Sequence, residues 1–229
     1  MPVPLGTHES PRIAMFGGTF DPVHLGHLRS AVELRDALAL DYVHMLPAAR
    51  PPLREAPGVS AEHRLELLQL GIGDTPGLVA DGRELKRSGP SFSADTLAEL
   101  RAEYGDQARL VMALGHDAFL RLADWHEPER LFELAHVVVM ERPDHDAPLS
   151  NALSELIAGR EVNTPAQLMA STAGGLLHLS LPTRMAVSAT YVRQRLARGC
   201  SVRYLLTADV ERHLLALGLY GTGVGEQLG

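Results

Sequence analysis

Residues 12–27 read Arg12-Ile13-Ala14-Met15-Phe16-Gly17-Gly18-Thr19-Phe20-Asp21-Pro22-Val23-His24-Leu25-Gly26-His27. The first five form a short, mostly apolar run, the pattern of a buried strand. Two glycines follow, and they let the backbone turn tightly and approach a ligand with no β-carbon in the way. From Leu25 to Ala39 the apolar spacing becomes helical. A strand, a glycine turn and a helix start in that order open a parallel α/β sheet. The helix start also offers unpaired N–H groups and a partial positive charge, which suit phosphate.

The same alternation continues outward from this unit. Tyr42–Leu46, Leu78–Ala80, Arg109–Ala113, His136–Met140 and Leu176–Ser180 read as further strands, several apolar on both faces. Ala61–Ile72, Ala94–Tyr104, Glu127–Leu134 and Asn151–Ile157 read as helices between them. Ala189–Ala197 and Ala208–Leu217 read as two C-terminal helices. Strands apolar on both faces belong in a parallel sheet covered by helices on both sides. Ligands of such sheets collect at the carboxyl ends of the strands. Pro47–Pro57 and Pro143–Pro148 are proline-rich and read as loops.

Composition narrows the class. With 229 residues, 45% of them hydrophobic, the chain is expected to form one domain with its core between about residues 12 and 220. Its 21 basic and 28 acidic residues give a net charge of -7, which argues against a nucleic-acid partner. A local arginine cluster for an anionic substrate is still compatible with that balance. Cys200 is the only cysteine, so an internal disulfide and a thiolate zinc cluster are both excluded. His8, Glu9 and Arg12 precede any apolar run of signal-peptide length, and no stretch approaches membrane-spanning length. A cytoplasmic protein without a membrane partner is the expectation.

His24 and His27, three apart at the first helical turn, can point together at the oxygens of a triphosphate. A surface pair or half a metal site are the bland alternatives. Two ligands with no carboxylate at zinc-protease spacing make a poor site, so no protein-held metal is expected. A second segment, Val187-Ser188-Ala189-Thr190-Tyr191-Val192-Arg193, reads as a helix capped by Ser188 with Arg193 about one turn inside. Its N–H groups, hydroxyls and guanidinium would make a second phosphate cradle. An ordinary capped helix is the competing reading when this segment is taken alone.

Gly-Gly-Thr-Phe-Asp-Pro-x-His-x-Gly-His resembles the signature of bacterial nicotinate mononucleotide adenylyltransferases. These belong to the His-x-Gly-His nucleotidyltransferase superfamily, built on a Rossmann-like sheet. The Ser188–Arg193 segment is similar to that family's Ile-Ser-x-Thr-x-Ile/Val-Arg box, and the motifs keep their order from Arg12 to about Tyr220. The resemblance implies transfer of the adenylyl group of ATP to nicotinate mononucleotide, giving nicotinate adenine dinucleotide and pyrophosphate, with Mg²⁺ accompanying ATP. It implies His24, His27 and Arg193 as catalytic groups. Gly17, Gly18, Thr19, Phe20, Ser188 and Thr190 would join them around ATP, one cradle at the α- and β-phosphates and the other at the β- and γ-phosphates.

On the mononucleotide side, Gly115-His116-Asp117 resembles the family's Gly-x-Asp. Asp117 would accept from ribose hydroxyls, with a helix N-cap as the equally good alternative. Trp125, in the polar run Asp124-Trp125-His126-Glu127, would stack on the pyridine ring as the family's aromatic does. Backbone N–H groups near Ser93 and His126 would hold the nicotinate carboxylate. Here the chain departs from the family, reading Ser91-Phe92-Ser93 for Ser-Tyr-Thr, which removes a tyrosine hydroxyl. Pro51-Pro52-Leu53-Arg54 replaces Pro-Pro-His-Lys or Pro-Pro-His-Arg, leaving Arg54 as the phosphate contact. Arg142-Pro143 matches the family's Arg-Pro, with Asp144 for glycine. Glu84 and Arg87 also fit the family, and a solvated charge run explains them as well. A different acceptor (phosphopantetheine or a phosphoalcohol) and a non-catalytic nucleotide-binding module are the competing functions. A monomer or weak homo-oligomer is expected.

Overall fold

The computed structural model describes residues 10–49, 58–141, 148–183 and 185–222. The chain opens with β1 (Arg12–Gly18), α1 (Leu25–Leu38), β2 (Tyr42–Pro47), α2 (Ala61–Ile72) and β3 (Leu78–Ala80). It continues through α3 (Ser93–Tyr104), β4 (Arg109–Gly115), α4 (His116–Phe119), α5 (Pro128–Leu134), β5 (His136–Met140) and α6 (Asn151–Ile157). β6 (Glu161–Val162), α7 (Pro165–Leu168), β7 (Leu176–Leu179), α8 (Ala189–Ala197) and α9 (Ala208–Ala216) complete it. The strands form one sheet in the order β3-β2-β1-β4-β5-β7-β6, every pairing parallel.

That order carries the functional geometry. β1 is followed in space by β2 on one side and by β4 on the other, so the winding reverses between β1 and β4. Such a reversal leaves a crevice at the carboxyl ends of the two strands. β1 ends there on Gly17-Gly18 and β4 on Gly115.

Two apolar layers hold the sheet, and the strand period of two assigns residues to them. Ala14, Phe16, Val43, Met45, Val111 and Ala113 face α1, α2, α8 and α9. Ile13, Met15, Leu46, Leu110, Met112 and Leu114 face α3, α5 and α6. The expected helices on both faces are therefore present. β2 also carries His44 into the interior, where it is satisfied at both nitrogens. Nδ1 meets Asp81 Oδ2 at 2.8 Å and Nε2 meets Tyr104 Oη at 2.8 Å, tying the β2–β3 edge to α3.

Expected and observed elements differ mainly at their ends. β1, β2 and β4 run one or two residues further than periodicity indicates. The added Gly17, Gly18, Pro47 and Gly115 pair through their backbones, which apolar patterning does not register. β6, α4 and α7 are too short to show a period at all. Among the described residues no helix is long and apolar enough to cross a membrane.

Candidate active site

The loop after β1 is fixed from several directions. Phe20 adopts a left-handed φ of 48° and is 1% exposed, with its ring beneath the backbone of Gly18. A β-carbon on Gly18 would lie 3.0 Å from that buried ring, so any larger residue would have to push the ring aside. Arg64, 1% exposed on α2, donates from Nη1 to the Thr19 carbonyl at 2.6 Å and from Nη2 to the Ala48 carbonyl at 2.8 Å. Its Nε donates to the Val59 carbonyl at 3.3 Å. One buried cation thus fastens the ends of β1 and β2 together.

His24 and His27 form a reciprocal cap on α1. The His27 N–H donates to His24 Nδ1 and the His24 N–H donates to His27 Nδ1, each at 3.4 Å. The rings stack with centroids 3.6 Å apart and planes 19° from parallel. A nitrogen that accepts from N–H carries no proton itself, so while the cap is closed both rings are neutral, with the proton on Nε2. Each imidazole then has Nε2–H as its donor, and both rings line the same cleft. Gly26 makes room for the pair, since a β-carbon there would meet the His24 ring at 3.1 Å.

The second segment reaches the first across almost the whole chain. Ser188 caps α8 by accepting from the Tyr191 N–H at 3.1 Å. Arg193, one turn in, donates from Nη1 to the Asp21 carbonyl at 2.7 Å and from Nη2 to Thr190 Oγ1 at 3.3 Å. Asp21 is 6% exposed and accepts from Tyr220 Oη at 2.8 Å through Oδ1. Burial and the neighbouring carboxylate both push the Tyr220 phenol up, keeping it a donor.

A cleft of about 1500 Å³ opens over the β1–β4 crevice. It is larger than the ~300–1,000 Å³ of a typical small-ligand site. Gly17, Gly18, Thr19, Phe20, His24, His27, Ser188, Thr190 and Arg193 line one side of it. Ser93, Asp117, Trp125 and His126 line the other. Arg54 and Arg142 lie outside the described residues. Asp117 stands exposed in the first turn of α4, and Gly115 occupies the N-cap position, so the capping alternative for Asp117 does not hold. Trp125 is half-buried: part of it packs on the α3–α5 layer while it also lines the cleft. His126 lies flat on Phe92, centroids 4.2 Å apart. Phe92 occupies the N-cap of α3 with no side-chain bond to that helix start.

Comparison with known proteins bears directly on this geometry. A model of the cytidylyltransferase-like family matches residues 15–195. A protein of Chromohalobacter salexigens named "Probable nicotinate-nucleotide adenylyltransferase" is 69% identical over 91% of this chain and 95% of its own. One of the same name from Pseudomonas fluorescens is 44% identical over 91% of this chain and 97% of its own. The chain belongs to the nicotinate-nucleotide adenylyltransferase family. It is a nucleotidyltransferase. Its fold matches that of the Plasmodium falciparum nicotinic acid mononucleotide adenylyltransferase complexed with NaAD, with a TM-score of 0.70 at 13% identity over 94% of this chain and 100% of the other.

Within this nucleotidyltransferase, sequence reading missed the supports of the site. Arg64 sits in an amphipathic helix where an arginine normally faces water, and nothing local marks it as buried. Tyr220 lies 199 positions from Asp21. Glu33, 4% exposed on α1, accepts from the Thr183 N–H at 3.1 Å and holds the segment leading into α8. Among the described residues no group of three or more His, Cys, Asp or Glu could hold a metal ion.

Proposed function

We propose that the chain transfers the adenylyl group of ATP to nicotinate mononucleotide, forming nicotinate adenine dinucleotide and pyrophosphate. The observation that carries this reading is one cleft with two unlike walls, large enough for both substrates. The glycine–histidine loop and the start of α8 supply donors for a triphosphate. The opposite wall supplies a half-buried aromatic, a carboxylate and a helix start, which suit a pyridine ring, a ribose and a carboxylate.

In the reaction, a phosphate oxygen of the mononucleotide attacks the α-phosphorus in line. One P–O bond forms and the bond to the β-phosphate oxygen breaks, its electron pair leaving with pyrophosphate. A phosphate monoester has its second pKa near ~6, so the nucleophile is already ionised at neutral pH and needs no general base. The site accordingly works by alignment and by donors placed around the developing charge. His24 and His27 would donate from Nε2–H to phosphate oxygens, and Arg193 would neutralise the leaving group. Mg²⁺ would enter with ATP as part of the substrate and supply charge neutralisation at the phosphates.

On the acceptor wall, the first N–H groups of α3 have no side-chain cap and a partial positive charge. Backbone there and near His126 would hold the nicotinate carboxylate, Asp117 the ribose hydroxyls and Trp125 the ring face. Arg54 and Arg142 would contact the mononucleotide phosphate. We read the chain as a single nucleotidyltransferase domain acting in the cytoplasm as a monomer or weak homo-oligomer. Pyrophosphate release from ATP should require nicotinate mononucleotide and should not occur with phosphopantetheine or a phosphoalcohol. Turnover with one of those acceptors instead would overturn the reading, and binding of ATP without turnover on any of them would favour a non-catalytic module.

A further inference from the structure

Glu84 is a buried carboxyl group that the transfer chemistry leaves unused. It sits on a single turn of 3-10 helix, Arg83–Lys86, 5% exposed at the cleft wall beside Ser91–Ser93. Two hydroxyls are turned onto it. Thr96, fully buried in the first turn of α3, donates from Oγ1 to Glu84 Oε1 at 2.8 Å. Arg87 Nη2 donates to the same threonine oxygen at 2.6 Å, which leaves the hydroxyl's one proton for Glu84. The other acceptor within reach, the Phe92 carbonyl, is further away at 3.4 Å. Ser91 is arranged alike. Its Oγ accepts from the Ala49 N–H at 3.1 Å, and its proton goes to Glu84. Glu99 holds Arg87 from the other side at 2.9 Å.

These bonds flank the start of α3 on both sides, where Phe92 offers no cap of its own. We propose that Glu84 is a positioning residue for the acceptor half of the reaction, its carboxylate clamping Ser91 and Thr96 so that the uncapped N–H groups of α3 point into the cleft. The proposal rests on the assignment of that wall to the mononucleotide. Only an acceptor-only group suits the place. A glutamine would turn an NH₂ toward a hydroxyl whose proton also points inward, so at least one bond is lost. Protonation has the same effect, because it converts one carboxylate oxygen into a donor. Burial pushes the Glu84 carboxyl up, against the Thr96 and Ser91 hydroxyls and Arg87, while Asp81 at the end of β3 pushes the same way as burial. The clamp therefore holds while Glu84 is ionised and loosens as pH falls through its raised pKa.

Steady-state kinetics of Glu84→Gln in the full chain, with each substrate varied separately, test this. The KM for nicotinate mononucleotide should rise about tenfold, as expected for one mismatched buried bond, while the KM for ATP moves less than about twofold. The wild-type mononucleotide KM should climb on the acid side, and that limb should be missing from the variant. The substrate's own phosphate titrates identically in both, so the difference isolates Glu84. Amide hydrogen exchange at residues 91–95 should accelerate in Glu84→Ala, a measurement that needs no substrate. Should Glu84→Gln fold poorly, Ser91→Ala removes one of the two bonds and should give a smaller shift in the same direction. Equal shifts in both KM values, an unchanged acid limb or unchanged exchange at residues 91–95 would overturn the proposal. Wild-type enzyme without turnover on nicotinate mononucleotide would instead sink the substrate assignment, with the exchange result still deciding what Glu84 does.

Discussion

The two walls of the cleft differ in how firmly they are held. On the side assigned to the triphosphate, Phe20, Asp21 and His24 are all buried, and bonds from α2, α8 and the Tyr220 turn converge on one loop. On the side assigned to the mononucleotide, Asp117 and His126 are exposed and Trp125 is half-buried. There a stacked ring pair and the hydroxyls held by Glu84 do the fixing. The difference follows the chemistry. Charge develops on the phosphates during transfer, and donors stabilise it best when they need not reorganise. The ribose and pyridine of the acceptor keep their charge throughout and are recognised mainly by binding, which a more open surface can provide.

His27→Ala attacks the braced wall most directly and should have the largest effect. It removes an Nε2–H donor, the ring that stacks on His24 and the acceptor for the His24 N–H, while the residue-27 N–H still reaches His24 Nδ1. Turnover should fall ~10²–10³-fold, the scale seen when one preorganised donor is lost, while ATP affinity falls far less. Rapid-quench turnover and equilibrium ATP binding separate the two quantities. Near-normal turnover would mean that the histidine pair serves only to start α1.

Substrate choice probes the open wall. Nicotinate presents an acceptor-only carboxylate, whereas nicotinamide presents an NH₂ in the same place. Facing the α3 N–H groups, that NH₂ leaves donors unpaired at ~1–3 kcal/mol each, so nicotinate mononucleotide should be preferred roughly a hundredfold in kcat/KM. Comparable efficiencies for acid and amide would place the carboxylate elsewhere. Trp125→Ala sharpens the same wall with a smaller effect. Loss of stacking, worth ~1–3 kcal/mol, should raise the mononucleotide KM about tenfold and leave that for ATP nearly unchanged. A parallel rise in both would identify a tryptophan that serves only the α3–α5 packing.

The same contrast explains what could be read from the sequence. The glycine–histidine loop was legible because its backbone demands and its chemistry lie within a dozen consecutive residues. Strands and long helices were legible because their periods repeat. The braces were not, because they join distant positions: Arg64 to Thr19 over 45 residues and Thr183 to Glu33 over 150. No local pattern announces that an arginine in a helix is buried against carbonyls. Trp125 was half legible. Its polar neighbours place it at a surface, while its packing on the α3–α5 layer depends on residues far away in the chain.

Tyr220→Phe tests whether the braced wall is over-determined, and should give the smallest effect on catalysis. The change removes only the hydroxyl that donates to Asp21 Oδ1 at 2.8 Å. Asp21 is buried, so its carboxylate loses a charge-assisted bond worth ~1.5–3 kcal/mol, and for a chain of this size each kcal/mol lowers Tm by about 2–4 °C. The catalytic geometry should nevertheless survive. Arg193 is aimed chiefly by the Asp21 carbonyl at 2.7 Å, and its approach to the carboxylate, 3.7 Å to Oδ2, is secondary. Arg64 still pins the loop at Thr19. Turnover should therefore drop only a few-fold while calorimetry records a clear loss of stability. A collapse of turnover comparable to that of His27→Ala, at an unchanged Tm, would reveal that the loop hangs on one hydroxyl, and the contrast between the two walls would fail.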